Sequence, residues 1–125
     1  MSVFCLKKGD KGIMEGQQEM NETKFVEMFK ALSNATRMKI VQMLKEPEKH
    51  FPPQVHIHKG DDFLGGVCVG DIRDKIGMGQ STTSQYLSLL QQSGLLEMKR
   101  IGQWTYYRRN EEVIQQLESF IGKGL

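Results

Sequence analysis

Residues 69–109 contain a helical segment whose two faces differ in side-chain chemistry. Residues that can pack in a core recur at the i, i+3, i+4 and i+7 spacing of one helix face, and these are Thr83, Tyr86, Leu87 and Leu90. The other face carries hydroxyl and amide groups and no acid, namely Gln80, Ser81, Thr82, Ser84, Gln85 and Ser88. Such groups can hydrogen-bond base edges without repelling phosphate, and a glutamine amide can pair with adenine through two bonds. We therefore expect the polar face to lie open to solvent and to contact DNA.

The flanking segments have the composition of a helix-turn-helix followed by a β wing. A shorter helix precedes the polar helix across a glycine-bracketed turn, and Ser93-Gly94 is a suitable helix end. Residues 95–101 and 104–109 are rich in aromatic and β-branched residues and are separated by a Gly-Gln turn, which predicts two paired strands. We expect Trp104 to pack beneath this hairpin rather than to stack on a base, because a duplex offers no splayed base.

The predicted wing is locally basic. It has four basic residues against Glu97 alone, and they are Lys99, Arg100, Arg108 and Arg109. A basic hairpin beside a groove-reading helix suits the phosphate backbone. We expect Lys99, Arg100 and Gln103 to contact phosphate or the minor groove. The alternative is a solvated hairpin with ordinary surface charges.

These motifs resemble the ArsR/SmtB family of winged helix-turn-helix transcriptional regulators. The family's pattern along the polar helix is matched by Gln80-Ser81, Ser84, Gln85-Tyr86, Leu87, Leu90 and Gly94-Leu95. The segment FKALSNATRMKIVQML, residues 29–44, is similar to the family's signature of a leucine, a turn, Thr-Arg and an apolar helix. The resemblance covers residues 25–120. It implies a mainly α fold with a small β wing, in a homodimer that binds a double-stranded DNA operator.

Two amphipathic helices are predicted before the helix-turn-helix. An apolar stripe begins at Phe25 and ends at Leu32, after which Ser33-Asn34 can end the first helix and cap the second. The second helix is predicted over Ala35–Lys45, closed by Pro47. Its inward residues are predicted to be Met38, Ile40, Val41 and Leu44.

A last helix is predicted to begin at Asn110, a good N-cap residue, with Glu111 and Glu112 where the helix dipole favours acid. The resemblance implies that the first and last helices form the dimer interface, through Phe25, Met28, Phe29, Val113, Leu117, Phe120 and Ile121. The alternative is that both apolar stripes cover the core of a single copy, and the sequence does not separate the two.

Residues 47–66 form a segment that the family pattern does not require. Alternation around His56 and His58, followed by a Lys-Gly-Asp-Asp turn, predicts a β-hairpin or flap inserted before the third helix. We expect Val67-Cys68-Val69 to return as the partner strand. In a strand the two histidines point to the same side, available to one metal ion or to water.

The family resemblance raises the question of a metal site. In arsenic- and cadmium-sensing members the third helix begins with Cys-Val-Cys-Asp-Leu, whereas this chain has Cys68-Val69-Gly70-Asp71-Ile72. One thiolate binds a soft ion weakly, so a zinc-like or thiophilic divalent ion would need further donors from Cys5, His50, His56 or His58. The alternatives are that Cys68 is a small buried residue, or that Cys5 and Cys68 form a redox pair.

Length and composition set the remaining bounds. A chain of 125 residues with a net charge of +2 fits one domain, which we place at residues 19–125 after a flexible arm at residues 1–18. Two cysteines favour a reducing compartment. No apolar run approaches the ~20 residues of a membrane helix, so we expect a cytoplasmic protein without a membrane partner.

Among function classes, the sequence favours a regulator. An enzyme is disfavoured because the chain has no nucleophile elbow, phosphate-binding glycine loop or HExxH motif. A winged-helix module that binds protein is the rival, since a fold does not fix function. We predict a sequence-specific dimeric repressor released from its operator by a metal ion or other signal, with redox-responsive or inducer-independent regulation as alternatives.

Overall fold

The computed structural model describes residues 21–54 and 63–125. These follow in the order α1 (Glu22–Leu32), α2 (Ala35–Lys45), α3 (Pro47–His50), β1 (Val67–Cys68), α4 (Val69–Ile76), α5 (Gln80–Gln92), β2 (Leu96–Ile101), β3 (Trp104–Arg109), α6 (Glu111–Ser119) and a terminal π-helical turn, Phe120–Gly124. The predicted mainly α fold with a small β wing is confirmed. The expectations for the arm at residues 1–18 and for Cys5, His56 and His58 lie outside the described residues.

The junction between α1 and α2 forms as predicted. The backbone N–H of Ser33 closes α1, and the Asn34 Oδ1 accepts a hydrogen bond from the backbone N–H of Arg37 at 3.0 Å. The Arg37 Nε donates to the Ala31 carbonyl at 2.7 Å, and its guanidinium lies 5.1 Å from the Tyr86 ring centroid. Arg37 therefore joins the end of α1 to α5, which gives a structural role to the arginine of the Thr-Arg pair.

The core lies between α1, α2, α4, α5 and the sheet. Its fully buried side chains include Met28, Ile40, Ile72, Leu87, Leu90 and Val67. Burying one side chain of this kind stabilises the fold by roughly 1.5–3 kcal/mol. The prediction that Met38 points inward is wrong, because it is 45% exposed while Met43 is buried. Met38 precedes Ile40 by two residues, which is about 200° around a helix.

The sheet has the strand order β1-β3-β2, with both pairings antiparallel. Val67 and Cys68 form a strand that pairs with Tyr107 and Tyr106 of β3, and the predicted partner strand around His56 and His58 lies outside the described residues. Val69 is already the first residue of α4. One edge of β3 pairs with β2, and the backbone groups of its other edge need hydrogen-bond partners. Pairing of β1 at that edge supplies them and buries the Val67 side chain in the core. Residues Pro47–His50, at the start of the insertion, form a helical turn that the sequence analysis did not predict.

The wing hairpin has the predicted strands but a different burial pattern. Gly102 adopts φ +62° at its tip, where a side chain would be strained. Tyr106 and Tyr107 are both buried, whereas Trp104 is 37% exposed, so the expected burial of Trp104 is wrong. Trp104 pairs with Ile101 next to the turn. That end of the hairpin extends beyond the core, which the sequence pattern could not indicate.

The chain's last helix is capped as predicted, with the Asn110 Oδ1 accepting from the backbone N–H of Val113 at 3.3 Å. Glu111 and Glu112 lie in its first turn. Leu117 is buried against the core. Across residues 21–54 and 63–125, no helix has the length and apolar character to cross a membrane.

Candidate nucleic-acid interface

Helix α5 exposes its polar side because its opposite side is fixed in the core. Thr83, Leu87 and Leu90 are buried, and the Thr83 hydroxyl donates to the Gly79 carbonyl at 2.8 Å. The residues predicted to contact DNA are exposed or half-buried: Gln80, Ser81, Ser84 and Gln85 are exposed, and Thr82 and Ser88 are half-buried. We call these six residues the α5 face. It contains no acidic group and is not covered by any described part of the chain.

The angle between α4 and α5 is set by a short turn. Ile72 anchors α4 because it is fully buried. Gly77 ends α4 in the left-handed region at φ +72°, and its N–H donates to the Arg73 carbonyl at 2.9 Å. Gly79 then forms the N-cap of α5 without a side-chain cap. This arrangement is a helix-turn-helix with its second helix facing outward.

A chain of side-chain hydrogen bonds crosses this turn at the surface. The Arg73 Nη1 donates to the Gln80 Oε1 at 2.7 Å, and the Gln80 Nε2 donates to the Ser84 Oγ at 3.2 Å. The Arg73 Nε also pairs with the Asp74 carboxylate at 3.2 Å. Arg73 was not among the residues predicted from the sequence. The only signal was a basic residue in the last turn of α4, and the turn that brings it to Gln80 becomes visible only in three dimensions.

The wing contributes fewer available charges than its sequence indicates. The Arg108 Nε pairs with Glu97 at 2.8 Å, and its guanidinium lies 4.2 Å from the Phe63 ring centroid. The Arg109 Nη2 pairs with Glu111 at 2.9 Å and its side chain is only 13% exposed. These two arginines are therefore engaged within the fold.

Three predicted contact residues of the wing remain accessible. Arg100 and Gln103 are exposed, and Lys99 is half-buried. The Arg100 Nε lies 3.4 Å from the Gly102 carbonyl, a long contact that a phosphate oxygen can replace. The positive charge that the wing offers to a ligand is thus that of Lys99 and Arg100.

Similar proteins share both the sequence and the fold. None of the protein-family models searched matches the chain. An uncharacterised HTH-type transcriptional regulator of Bacillus subtilis, YbzH, is 52% identical over 97 residues, which is 77% of this chain and 93% of the relative. The arsenical resistance operon repressor of Escherichia coli is 31% identical over 88 residues, which is 70% of this chain and 61% of the repressor.

A solved structure supports the same relationship. The homodimeric winged helix-turn-helix DNA-binding domain of a possible ArsR-family transcriptional regulator from Mycobacterium bovis aligns with a TM-score of 0.57 at 27% identity. The alignment covers 84% of each chain. The chain belongs to the ArsR family of transcriptional regulators.

In this ArsR-family chain, the position expected to carry a metal-binding thiol is Cys68, which is half-buried at the N-cap of α4. Its backbone N–H donates to the Gln54 Oε1 at 2.9 Å, and the Gln54 Nε2 donates to the Asp71 carboxylate at 2.8 Å. Burial raises the pKa of the Cys68 thiol above its ordinary value, although backbone N–H groups of Asp71 and Gly70 oppose the shift. The thiol form is therefore favoured over the thiolate that a metal requires.

The described residues do not fit a metal ion at this position. Gly70 stands where the ArsR-family motif has its second thiol, and within residues 21–54 and 63–125 no three His, Cys, Asp or Glu side chains converge. His50 lies in α3 and joins no such group. A Cβ built on Gly70 would lie 3.7 Å from the Arg73 Nη2, so a side chain could be accommodated. The donors Cys5, His56 and His58 stay predictions beyond the described ranges.

The residues predicted for the dimer interface divide into three groups by burial. Phe25, Met28 and Leu117 are buried within one copy, whereas Phe29 and Ile121 are 36% and 48% exposed. Val113 and Phe120 are half-buried. The Phe120 ring stacks on that of Phe25 at 4.1 Å between centroids. The apolar stripes thus serve the core of one copy and also leave an apolar margin on its surface.

Proposed function

We propose that the chain is a dimeric repressor that binds a pseudo-palindromic operator through the α5 face. The observation that carries this proposal is an outward helix surface of amide and hydroxyl groups, held in place by a buried opposite face and free of acid. In helix-turn-helix proteins this helix enters the major groove. Two-fold symmetry then places two such helices about 10 bp apart along the duplex, or a multiple of that distance.

The contacts divide between base reading and phosphate binding. Gln80, Ser81, Ser84 and Gln85 are the exposed hydrogen-bonding groups of the α5 face and read bases, with Thr82 and Ser88 at its margin. Lys99, Arg100 and Gln103 bind the backbone from the wing. Replacing Gln80 by alanine costs ~1–3 kcal/mol on the preferred sequence and relaxes preference at one base pair, whereas Arg100→Ala weakens binding evenly on all sequences.

The dimer forms through the exposed margin of α1 and of the C-terminal turn. Phe29 and Ile121 are its central residues, and Val26 adds a further exposed apolar side chain on α1. The buried Phe25, Met28 and Leu117 support this surface from within one copy. An exposed apolar margin on α1 and on the C-terminal turn is more readily explained by a partner than by solvent.

DNA binding is tested by titrating the full chain with random-sequence and selected duplexes at two salt concentrations. A repressor binds the selected duplex more tightly at both, with affinity that falls steeply as salt rises. A chain that binds no duplex at low salt contradicts the proposal and favours a winged-helix module that binds protein. The proposal assigns the chain no enzymatic role and places it in the cytoplasm with its DNA.

The releasing signal is tested by metal analysis of protein purified without chelator, with Cys68→Ser as the matched variant. A zinc-like or thiophilic ion that is present in the wild type and lost with the thiol supports a sensor that recruits Cys5, His56 or His58. A wild type that stays empty and resists loading contradicts metal control. The redox alternative predicts instead an intramolecular disulfide between Cys5 and Cys68 under oxidation, detected by mass spectrometry.

A further inference from the structure

We propose that Arg73, on α4, is a positioning residue that fixes the orientation of the Gln80 amide so that Gln80 reads adenine. This inference rests on the proposed DNA-binding function and deepens it. Three distances carry it: Arg73 Nη1 to Gln80 Oε1 at 2.7 Å, Gln80 Nε2 to Ser84 Oγ at 3.2 Å, and Arg73 Nε to Asp74 Oδ1 at 3.2 Å.

The orientation follows from the chemistry of arginine. A guanidinium has only N–H donors and no acceptor. The atom of Gln80 that faces Arg73 must therefore be the amide oxygen, since the opposite orientation would place N–H against N–H. The amide nitrogen then faces Ser84, one turn along α5, whose hydroxyl oxygen accepts. The Arg73 guanidinium is held in turn by Asp74, so both ends of the amide have a defined partner.

The fixed amide retains the groups that adenine requires. An amide oxygen accepts two hydrogen bonds and an amide nitrogen donates two, so after the bonds to Arg73 and Ser84 the exposed Gln80 keeps one acceptor and one donor for a ligand. Adenine presents an N6 donor beside an N7 acceptor in the major groove, whereas guanine presents two acceptors. An amide fixed in this orientation therefore matches adenine and mismatches guanine.

Loss of Arg73 would leave the amide able to rotate. The Ser84 hydroxyl both donates and accepts, so by itself it holds either orientation of the Gln80 amide. The amide would then have to become ordered when the protein binds DNA, and the preference in affinity for adenine at that base pair would fall. A purely electrostatic Arg73 would behave differently, because loss of a positive charge weakens binding equally on every sequence.

The test is a double-mutant cycle on sequence preference. The full-length wild type selects its consensus from a random duplex pool, and dissociation constants are then measured on the consensus and on each single-base variant. The same set is measured for Arg73→Ala, Gln80→Ala, the double variant and Lys75→Ala. Lys75 is the matched control, because it is an exposed basic residue in the same last turn of α4. Thermal unfolding of each variant shows that it is folded.

We expect Gln80→Ala to lose base preference at one adenine per half-site, since a bidentate pair discriminates between bases by roughly 5- to 150-fold in affinity. Arg73→Ala is expected to lower the preference at that same base pair by about fivefold or more, with other positions unchanged. In the Gln80→Ala background, Arg73→Ala should change no base preference. Lys75→Ala should weaken all duplexes by one common factor.

Three results would overturn the role of Arg73. They are an Arg73→Ala variant that keeps the adenine preference, one that weakens binding to all duplexes by the same factor, and an Arg73→Ala effect on base preference that is equally large in the Gln80→Ala background. The proposed repressor function would survive each of these results. A wild type that enriches no sequence from the pool would instead refute the DNA-binding function, and the role of Arg73 with it.

Discussion

Arg100 and Arg108 lie in one hairpin, and exchanging each for alanine separates DNA binding from fold stability. Arg100 is exposed with one long internal contact, whereas Arg108 pairs with Glu97 at 2.8 Å, donates to the Leu64 carbonyl at 3.2 Å and lies over Phe63. Arg100→Ala should therefore alter binding and leave unfolding unchanged. Arg108→Ala should do the reverse.

The magnitudes follow from the number and kind of contacts. Each phosphate contact contributes ~0.9 to the slope of log affinity against log salt, so Arg100→Ala removes about 1.8 from the slope of a symmetric dimer. Between 50 and 200 mM salt the wild type should then lose about tenfold more affinity than the variant. Arg108→Ala loses a partly exposed ion pair and a cation–π contact, together about 1–2 kcal/mol of unfolding free energy.

Fluorescence anisotropy with one labelled duplex at four salt concentrations measures the slopes, and urea unfolding measures the stabilities. Arg109 is a third position for comparison, since its side chain is 13% exposed and pairs with Glu111. Arg108→Ala that flattens the salt dependence as much as Arg100→Ala does would contradict the division of roles between the two arginines. So would Arg100→Ala that lowers the unfolding midpoint as much as Arg108→Ala.

Four further outcomes are expected. Phe29→Arg should give a folded monomer by light scattering, because Phe29 is 36% exposed, and a variant that stays dimeric would exclude Phe29 from the interface. Met28→Ala should instead lower the free energy of unfolding by about 2–5 kcal/mol, because Met28 is fully buried. In a Cys5→Ser background, Cys68 should react with iodoacetamide more slowly than free cysteine at neutral pH, with a midpoint at higher pH, because burial raises its pKa and the thiolate is the reactive form. Gly70→Cys should bind a thiophilic ion that the wild type binds weakly, measured by thiolate-to-metal absorption, because the site has space for a side chain.

Much of the fold could be predicted because local rules and tertiary packing agree. The helix bounds Ala35–Lys45 and the caps at Asn34 and Asn110 depend on short-range hydrogen bonds, which a sequence encodes directly. The buried side of α5 follows from its 3.6-residue period. Two burial predictions failed where an element extends beyond the core: Met38 was expected to point inward from α2, and Trp104 was expected to pack beneath the hairpin.

The exposure of the candidate site's residues could be predicted from the sequence, but the hydrogen bonds between them could not. The six residues of the α5 face could be identified because amide and hydroxyl groups without acid are an unusual helix surface. The bond from Arg73 to Gln80 could not, because it depends on how a glycine turn brings two helices together. The number of basic residues in the wing likewise overstated the charge available to DNA, because the sequence does not indicate that Arg108 and Arg109 have carboxylate partners.

The sequence by itself determined the family, the order of the helices and wing strands outside residues 47–66, and which helix exposes a polar face without acid. These properties depend on neighbours within a few residues, or on the period of one element. Only the tertiary structure decided that Val67 pairs with β3, that half of the basic wing is neutralised internally, and that Arg73 holds Gln80. Each of those depends on groups brought together by packing of separate elements, and a linear pattern contains no distance between them.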